Sequence, residues 1–391
     1  MKKSTSLLYL GSILTLFACS NATDSVTTET YPNVITAFAG KIDLNNLFNY
    51  ANQSKPAYIT KDNTAGNPIT DKGATLGRVL FYDKNLSSNN TISCSSCHIQ
   101  ANAFSDDAIA SDGVNGTTTR HSMRLINSRF SNERKFFWDE RAATLELQTS
   151  DPIKNHIEMG FSGTSGDGSI TTLITKLQGI GYYKELFKYV YGSEEITESK
   201  LQNALAQFIR SIQSFDSKYD AGRSTVQNDN QAFPNFTAQE NQGKNLFLTP
   251  PVFDANGVRT SGGFGCAGCH AAPEFDIDPN TRNNGVIGVL NGTGIDITNT
   301  KAPSLRDLLN SNGSPNGPMM HTGSFATLQN VIGHYGTITI APRNTNLDPR
   351  LTPNGFGQQL NITATEVNAL TAFIKTLTGT NVYVDPKWSS P

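Results

Sequence analysis

The sequence predicts an all-α fold built as two like helical units, the first carrying a long loop-rich insertion. Three observations predict it. The chain has 391 residues, a length that suits two domains or three. One five-residue pattern occurs twice, as Cys94-Ser95-Ser96-Cys97-His98 and Cys266-Ala267-Gly268-Cys269-His270. Each copy follows a short apolar helix pattern of one type, Gly77-Arg78-Val79-Leu80-Phe81 and Gly243-Lys244-Asn245-Leu246-Phe247. Composition agrees: 37% apolar and 16% charged residues, with 33 Gly and 17 Pro, describe a globular chain with long polar loops. They do not describe a coiled coil or a charged disordered chain. A net charge of −2 gives no electrostatic case for nucleic acid.

The N-terminus comes first. Lys2 and Lys3 precede a mostly apolar stretch from Leu7 to Ala18, the length of a signal-peptide core and too short to cross a bilayer. Leu16-Phe17-Ala18-Cys19 then resembles a bacterial lipobox, with Phe17 unusual in it and a plain secretory signal as the alternative. Residues 1–18 are thus expected to be a signal peptide, and residues 19–72 a polar tether and extension anchored by lipid at Cys19. The expected location is the periplasm or cell envelope, with the membrane met only through that lipid.

C-x-x-C-H is the attachment pattern for c-type haem. Two thiols at i and i+3 can each join one vinyl group, and the adjacent imidazole then ligates iron. A zinc site would need four ligands in one cluster, whereas the pairs lie 172 residues apart. A redox disulfide needs one motif in a βαβ setting. Two haem c groups are therefore expected, bound through Cys94, Cys97, His98 and Cys266, Cys269, His270. The units become cytochrome c-like domains over residues 73–225 and 239–391, joined by a linker at 226–238. A closing helix is expected in each. Leu201, Ala204, Leu205, Phe208, Ile212 and Phe215 form one apolar face. Val367, Leu370, Phe373, Ile374 and Leu377 form the other, started by Thr363 or Thr365 and capped by Gly379. The insertion covers roughly residues 100–195, and no strand-rich region is expected.

Several segments taken together, LGRVLFYDKNLS, SCSSCH, FFWDERAATLELQ, DPIKNHIEMG, GCAGCH and MMHTGSFATLQNVIGHYG, resemble the bacterial di-haem cytochrome c peroxidases and the related MauG proteins. The likeness runs from about Leu76 to Gly379. It implies that the first haem, on His98, is the peroxide site. Trp138 would relay electrons between the haems, its alternative being a core aromatic. Gln148 and Glu158 match the distal-pocket pair, and a carboxyl there could move a proton between the peroxide oxygens. Ser111 to Thr119 holds no histidine where some members keep one, which implies a first haem that is five-coordinate or water-bound as isolated.

Tyr335 stands where MauG-like members place the distal ligand of the second haem, with Met320 as the rival. Axial identity moves haem potentials over about 0.8 V. His321 matches a family histidine near the second haem, while His156 and His334 read as ordinary loop and helix residues. His121 falls where the family often has an asparagine serving calcium, and Asn316 and Pro318 fall where its other ligands arise as backbone carbonyls, which leaves one calcium open. The function implied is reduction of hydrogen peroxide with electrons from a small cytochrome c or cupredoxin. A MauG-like oxidase acting on a protein or aromatic substrate is the alternative, a non-enzymatic carrier the third reading, and a homodimer is left open.

Overall fold

The computed structural model describes residues 1, 30–131, 135–277 and 280–391. The signal segment and Cys19 lie outside the described residues. Two helix pairs organise the chain. In the first, α2 (Asp71–Tyr82) packs on α7 (Glu198–Ser211); in the second, α9 (Ala238–Leu248) packs on α11 (Ala364–Lys375). The same device makes both crossings. A Cβ on Gly77 would stand 2.0 Å from the Ala204 carbonyl oxygen, and one on Gly243 would stand 1.9 Å from that of Ala369. Only glycine lets the backbones approach this closely. Phe208 and Phe373, four residues after each alanine, are wholly buried beside the crossings. The repeat seen in the sequence is thus a repeat of packing.

Each pair seeds its own core. The first gathers Leu76, Leu80, Phe81, Phe104, Leu205 and Phe208; the second gathers Leu246, Phe247, Phe275, Leu370, Phe373 and Ile374. Between them come α3 (Cys94–Cys97), α4 (Leu145–Ser150), α5 (Ile170–Gln178), α6 (Gly181–Tyr191), α8 (Lys218–Arg223) and α10 (Leu328–Gly336). Three antiparallel two-stranded ribbons are the strands: β1–β2 (Asp112–Gly113, Gly116–Thr117), β3–β4 (Pro251–Phe253, Arg259–Gly262) and β5–β6 (His270–Ala271, Asp276–Ile277). The molecule is all-α in class, as expected. Most helices start on a hydroxyl cap; Thr363 accepts from the Glu366 N–H in a capping box that opens α11.

Three expectations need correction. The chain from Tyr31 to residue 72 is no tether. Tyr31, Val34, Ile42, Leu44, Tyr50 and Ile69 belong to the first core. Here α1 (Pro32–Phe38) packs on α6, and the Glu185 carboxylate accepts from the Asn33 and Val34 N–H groups at its start. These apolar residues are spaced without a period, so the sequence offers no face to read. The second unit does not keep the whole C-terminus either: Val382 and Trp388 are buried in the first core, and the Tyr50 hydroxyl donates to the Lys387 carbonyl at 2.6 Å. Finally, both closing helices are shorter than their apolar faces. α7 stops at Ser211, leaving Phe215 to pack edge-on against Phe130 outside the helix. α11 is capped by Thr376, and Gly379 instead donates its N–H to Asp307 at 2.8 Å.

Candidate haem and peroxide sites

In the first motif, α3 is one helical turn, held by the Ser93 N–H donating to Ser96 Oγ at 3.1 Å. His98 closes it. Two successive left-handed residues, Ala103 and Phe104 (φ +55° and +58°), turn the chain back, and the Phe104 carbonyl faces His98 Nδ1 at 3.2 Å. That contact puts the proton on Nδ1 and leaves the Nε2 lone pair for a metal. Burial pushes the His98 pKa down to about 4, so the ring is neutral at pH 7, as ligation requires. The second motif repeats this. Phe275 is again left-handed (φ +55°), and burial again pushes His270 down to about 4. His270 Nδ1 is buried without a well-formed hydrogen bond.

All four motif cysteines are free thiols. Burial pushes Cys94 and Cys266 up to about 12 and Cys97 up to about 11. Thiols of this kind are poor redox exchangers, against a thioredoxin-type role. Cys266, Cys269 and His270 line a cavity of about 500 Å³ whose wall is largely apolar, with Phe247, Leu370 and Ile374 among its residues. Its size and lining suit a bound organic cofactor. The residues present fit a covalently held haem.

Tyr335 and Met320 line the same cavity. The side-chain amide of Asn284 donates to Tyr335 Oη at 3.0 Å and to Met320 Sδ at 3.2 Å. Both rival ligands therefore lie in the same pocket as the motif, and burial holds the Tyr335 hydroxyl well above its ordinary pKa. His334 points elsewhere, its Nε2 facing the Asn284 carbonyl at 2.8 Å. Asn284 was missed from sequence. Asn283-Asn284-Gly285 reads as a plain turn, and no local signal marks it as a site.

Glu158 sits over the first motif. Its charge is felt by both Cys94 and Cys97. Burial raises its carboxyl pKa above the usual range, with Arg141 opposing and Asp151 adding to the shift. The loop from Ser111 to Thr119 forms the β1–β2 ribbon and is stapled to this segment. The Val114 N–H donates to the Glu158 carbonyl at 3.0 Å and the Asn115 N–H to that of Ile157 at 3.1 Å. Gly113 is required there, since a Cβ would lie 2.1 Å from the Ile157 carbonyl oxygen. Gln148 lies on α4, and its side chain makes no hydrogen bond among the described residues. His156, in contrast, pairs with Asp167 at 2.9 Å on the surface.

Trp138 stands at the seam. Its indole N–H donates to the His121 carbonyl at 2.8 Å, and its ring lies edge-on to His321 at 6.2 Å. Its own carbonyl accepts from Thr300 and Lys301 of the second unit. The His121 N–H donates to the His321 carbonyl at 2.7 Å, closing the seam.

This doubled arrangement has known counterparts. A sequence profile described as di-haem cytochrome c peroxidase matches residues 71–228. MauG of Methylophilus methylotrophus is 29% identical, across 80% of this chain and 84% of its own. The chain belongs to the di-haem cytochrome c peroxidase and MauG family. Cytochrome c551 peroxidase of Nitrosomonas europaea is 28% identical over 78% of this chain and 80% of its own. A crystal structure of a MauG-like protein associated with microbial copper homeostasis superposes with a TM-score of 0.65 at 28% identity, covering 87% of this chain and 99% of that one. As a member of this family the protein is a peroxidase-type oxidoreductase, and the family's name accounts for two haems. No helix among the described residues is long and apolar enough to cross a membrane.

Calcium fares differently. Asn316 donates its side-chain amide to the Asp307 carbonyl and the Tyr383 hydroxyl, both at 2.8 Å. His121 offers a ring nitrogen, and that ring faces the Ala108 carbonyl at 3.0 Å. Calcium takes six to eight oxygen ligands. Among the described residues no group of three His, Cys, Asp or Glu side chains that could hold a metal occurs, and His121 brings a nitrogen where that ion takes oxygen.

Proposed function

We propose that this protein reduces hydrogen peroxide to water in the cell envelope, using electrons from a small cytochrome c or cupredoxin. Haem bound at the two motifs would supply the iron chemistry and the electron store. The single observation that carries this reading is the half-buried Glu158 carboxyl, its pKa raised, beside the first motif. Reduction of peroxide needs a proton taken from one oxygen and given to the other, and a carboxyl with a raised pKa can do both. Gln148 would orient the peroxide without competing for the proton. Trp138, bonded to one unit by its indole and to the other by its carbonyl, would couple the two motifs. A non-enzymatic carrier has no use for Glu158. Export and the Cys19 lipid anchor belong to the same proposal.

A second reading is favoured by one observation. Tyr335 accepts a hydrogen bond from Asn284, which offsets part of the burial that keeps its hydroxyl protonated, and iron ligation would complete the step to phenolate. A hard anionic ligand favours oxidised iron, which suits a MauG-like oxidase acting on a protein or aromatic substrate. Steady-state peroxide consumption with reduced cytochrome c separates the two. Peroxidase turnover supports the first; stoichiometric peroxide altering the ferric spectrum with no such turnover supports the second. Mass spectrometry of mature protein with fewer than two haem adducts would sink both. Tyr335→Phe should change the spectrum of the second haem, and an unchanged spectrum removes Tyr335 as ligand.

A further inference from the structure

The seam holds a cation that none of these roles uses. Arg124 is half-buried and lines the second cavity together with His121, Trp138, Pro318 and His270. Its guanidinium makes one hydrogen bond, from Nη2 to the Ser304 carbonyl at 3.1 Å. Nε is buried and has no partner. Among the described residues no carboxylate oxygen comes within 4 Å of its nitrogens. Asp307 and Tyr383 favour its charge from further away, but the Asp307 carboxyl is itself pushed towards neutrality by burial. The field of Arg124 reaches both His121 and His270.

A guanidinium is not deprotonated in proteins, so burying one without an anion is costly. Its fork matches carboxylate geometry. His121 brings a ring nitrogen to the place of an oxygen ligand, and a fixed positive charge in the same cavity opposes a second cation. We infer that Arg124 is the resident cation of the seam, and that its guanidinium binds a carboxylate of the porphyrin held at Cys266, Cys269 and His270. This inference rests on the haem reading and deepens it. Arg124 is a cofactor-binding residue that fixes the second haem and holds its potential up, and the protein works without calcium.

The test uses mature holoprotein. Mass spectrometry comes first, because loss of a haem adduct in wild type overturns the haem reading, whereas the variants then judge Arg124 alone. Metal analysis should find calcium well below one per chain, and a chelator should leave the midpoint potential of the second haem unchanged. Arg124→Gln should lower that potential and shift the propionate bending band in resonance Raman spectra. Arg124→Lys should return the potential towards wild type while the band stays shifted, since the charge is kept and the fork is lost. One calcium per chain, or a band unmoved in both variants, overturns the inference. If Arg124→Gln does not fold, the band in Arg124→Lys decides by itself.

Discussion

Glu158 carries opposite demands, and its substitution separates them. Burial raises its pKa, so the folded state binds its proton more tightly than the unfolded state does. Stability therefore falls as pH rises through the folded value, because the carboxylate must form in a dry place. The same shift places a proton acceptor and donor closer to neutral pH. Glu158→Gln should thus lower peroxide turnover by about 10²–10⁴-fold while melting at the same temperature or higher near pH 7. In wild type the acid limb of kcat/KM should lie above the ordinary glutamate range, with activity rising as pH rises through it, and that limb should vanish in the variant. A limb that survives Glu158→Gln assigns the proton to another group. At this scale the sequence was uneven in what it disclosed. The cysteines and His98 and His270 could be read because their chemistry needs adjacent residues. Glu158 needed the resemblance, since a lone loop carboxylate is ordinary. Asn284 and Arg124 could not be read at all. Their meaning comes from what faces them across 51 and 180 residues of chain, Tyr335 and the Ser304 carbonyl.

The glycine-centred crossings make the haem units. A methyl group at Gly77 or Gly243 meets a carbonyl oxygen on the facing helix, and backbone cannot swing aside as a side chain can. Gly77→Ala and Gly243→Ala should each destabilise by about 3 kcal/mol or more, the upper end of overpacking. The two should differ in which haem suffers: Gly77→Ala should disturb the haem at His98 and Gly243→Ala the haem at His270, read from ferric spectra of each variant. Equal disturbance of both centres by either substitution would mean that the units do not pack independently. These elements were legible because helix, glycine and motif recur in the same order in both units. The N-terminal segment was not. Val34, Ile42, Leu44 and Tyr50 follow neither a helical nor a strand period, and their partners include Lys387, at the other end of the chain.

Across the whole molecule a wholly buried charge pair helps to join the units. Arg306 is wholly buried, and its two terminal nitrogens donate to the two Asp220 carboxylate oxygens, each at 3.0 Å. It also donates to the Pro273 carbonyl at 2.8 Å, and Tyr58 donates to Asp220 at 2.8 Å. The N-terminal segment, α8 and the loop after the second motif thus meet at a single guanidinium, which lies over the rings of Phe215 and Tyr219. Asp220 is half of a matched pair, so removing its partner is worse than removing both. Arg306→Met should cost about 3–5 kcal/mol, and Arg306→Met with Asp220→Asn should recover part of it. The pH dependence follows from the direction of the Asp220 shift. Arg306 and the hydrogen bonds from Ser217 and Tyr58 outweigh burial and hold the carboxyl below its ordinary value. Its contribution is complete above the unfolded pKa of about 3.9 and is lost as pH falls through the folded one. In Arg306→Met only the Ser217 and Tyr58 hydrogen bonds oppose burial and the Asp220 pKa rises, so the penalty should be largest at neutral pH and shrink on acidification towards pH 4. Thermal melts of wild type and variant across that range read this directly. A difference in melting temperature that stays constant with pH would show that the pair joins the units by shape and not by charge.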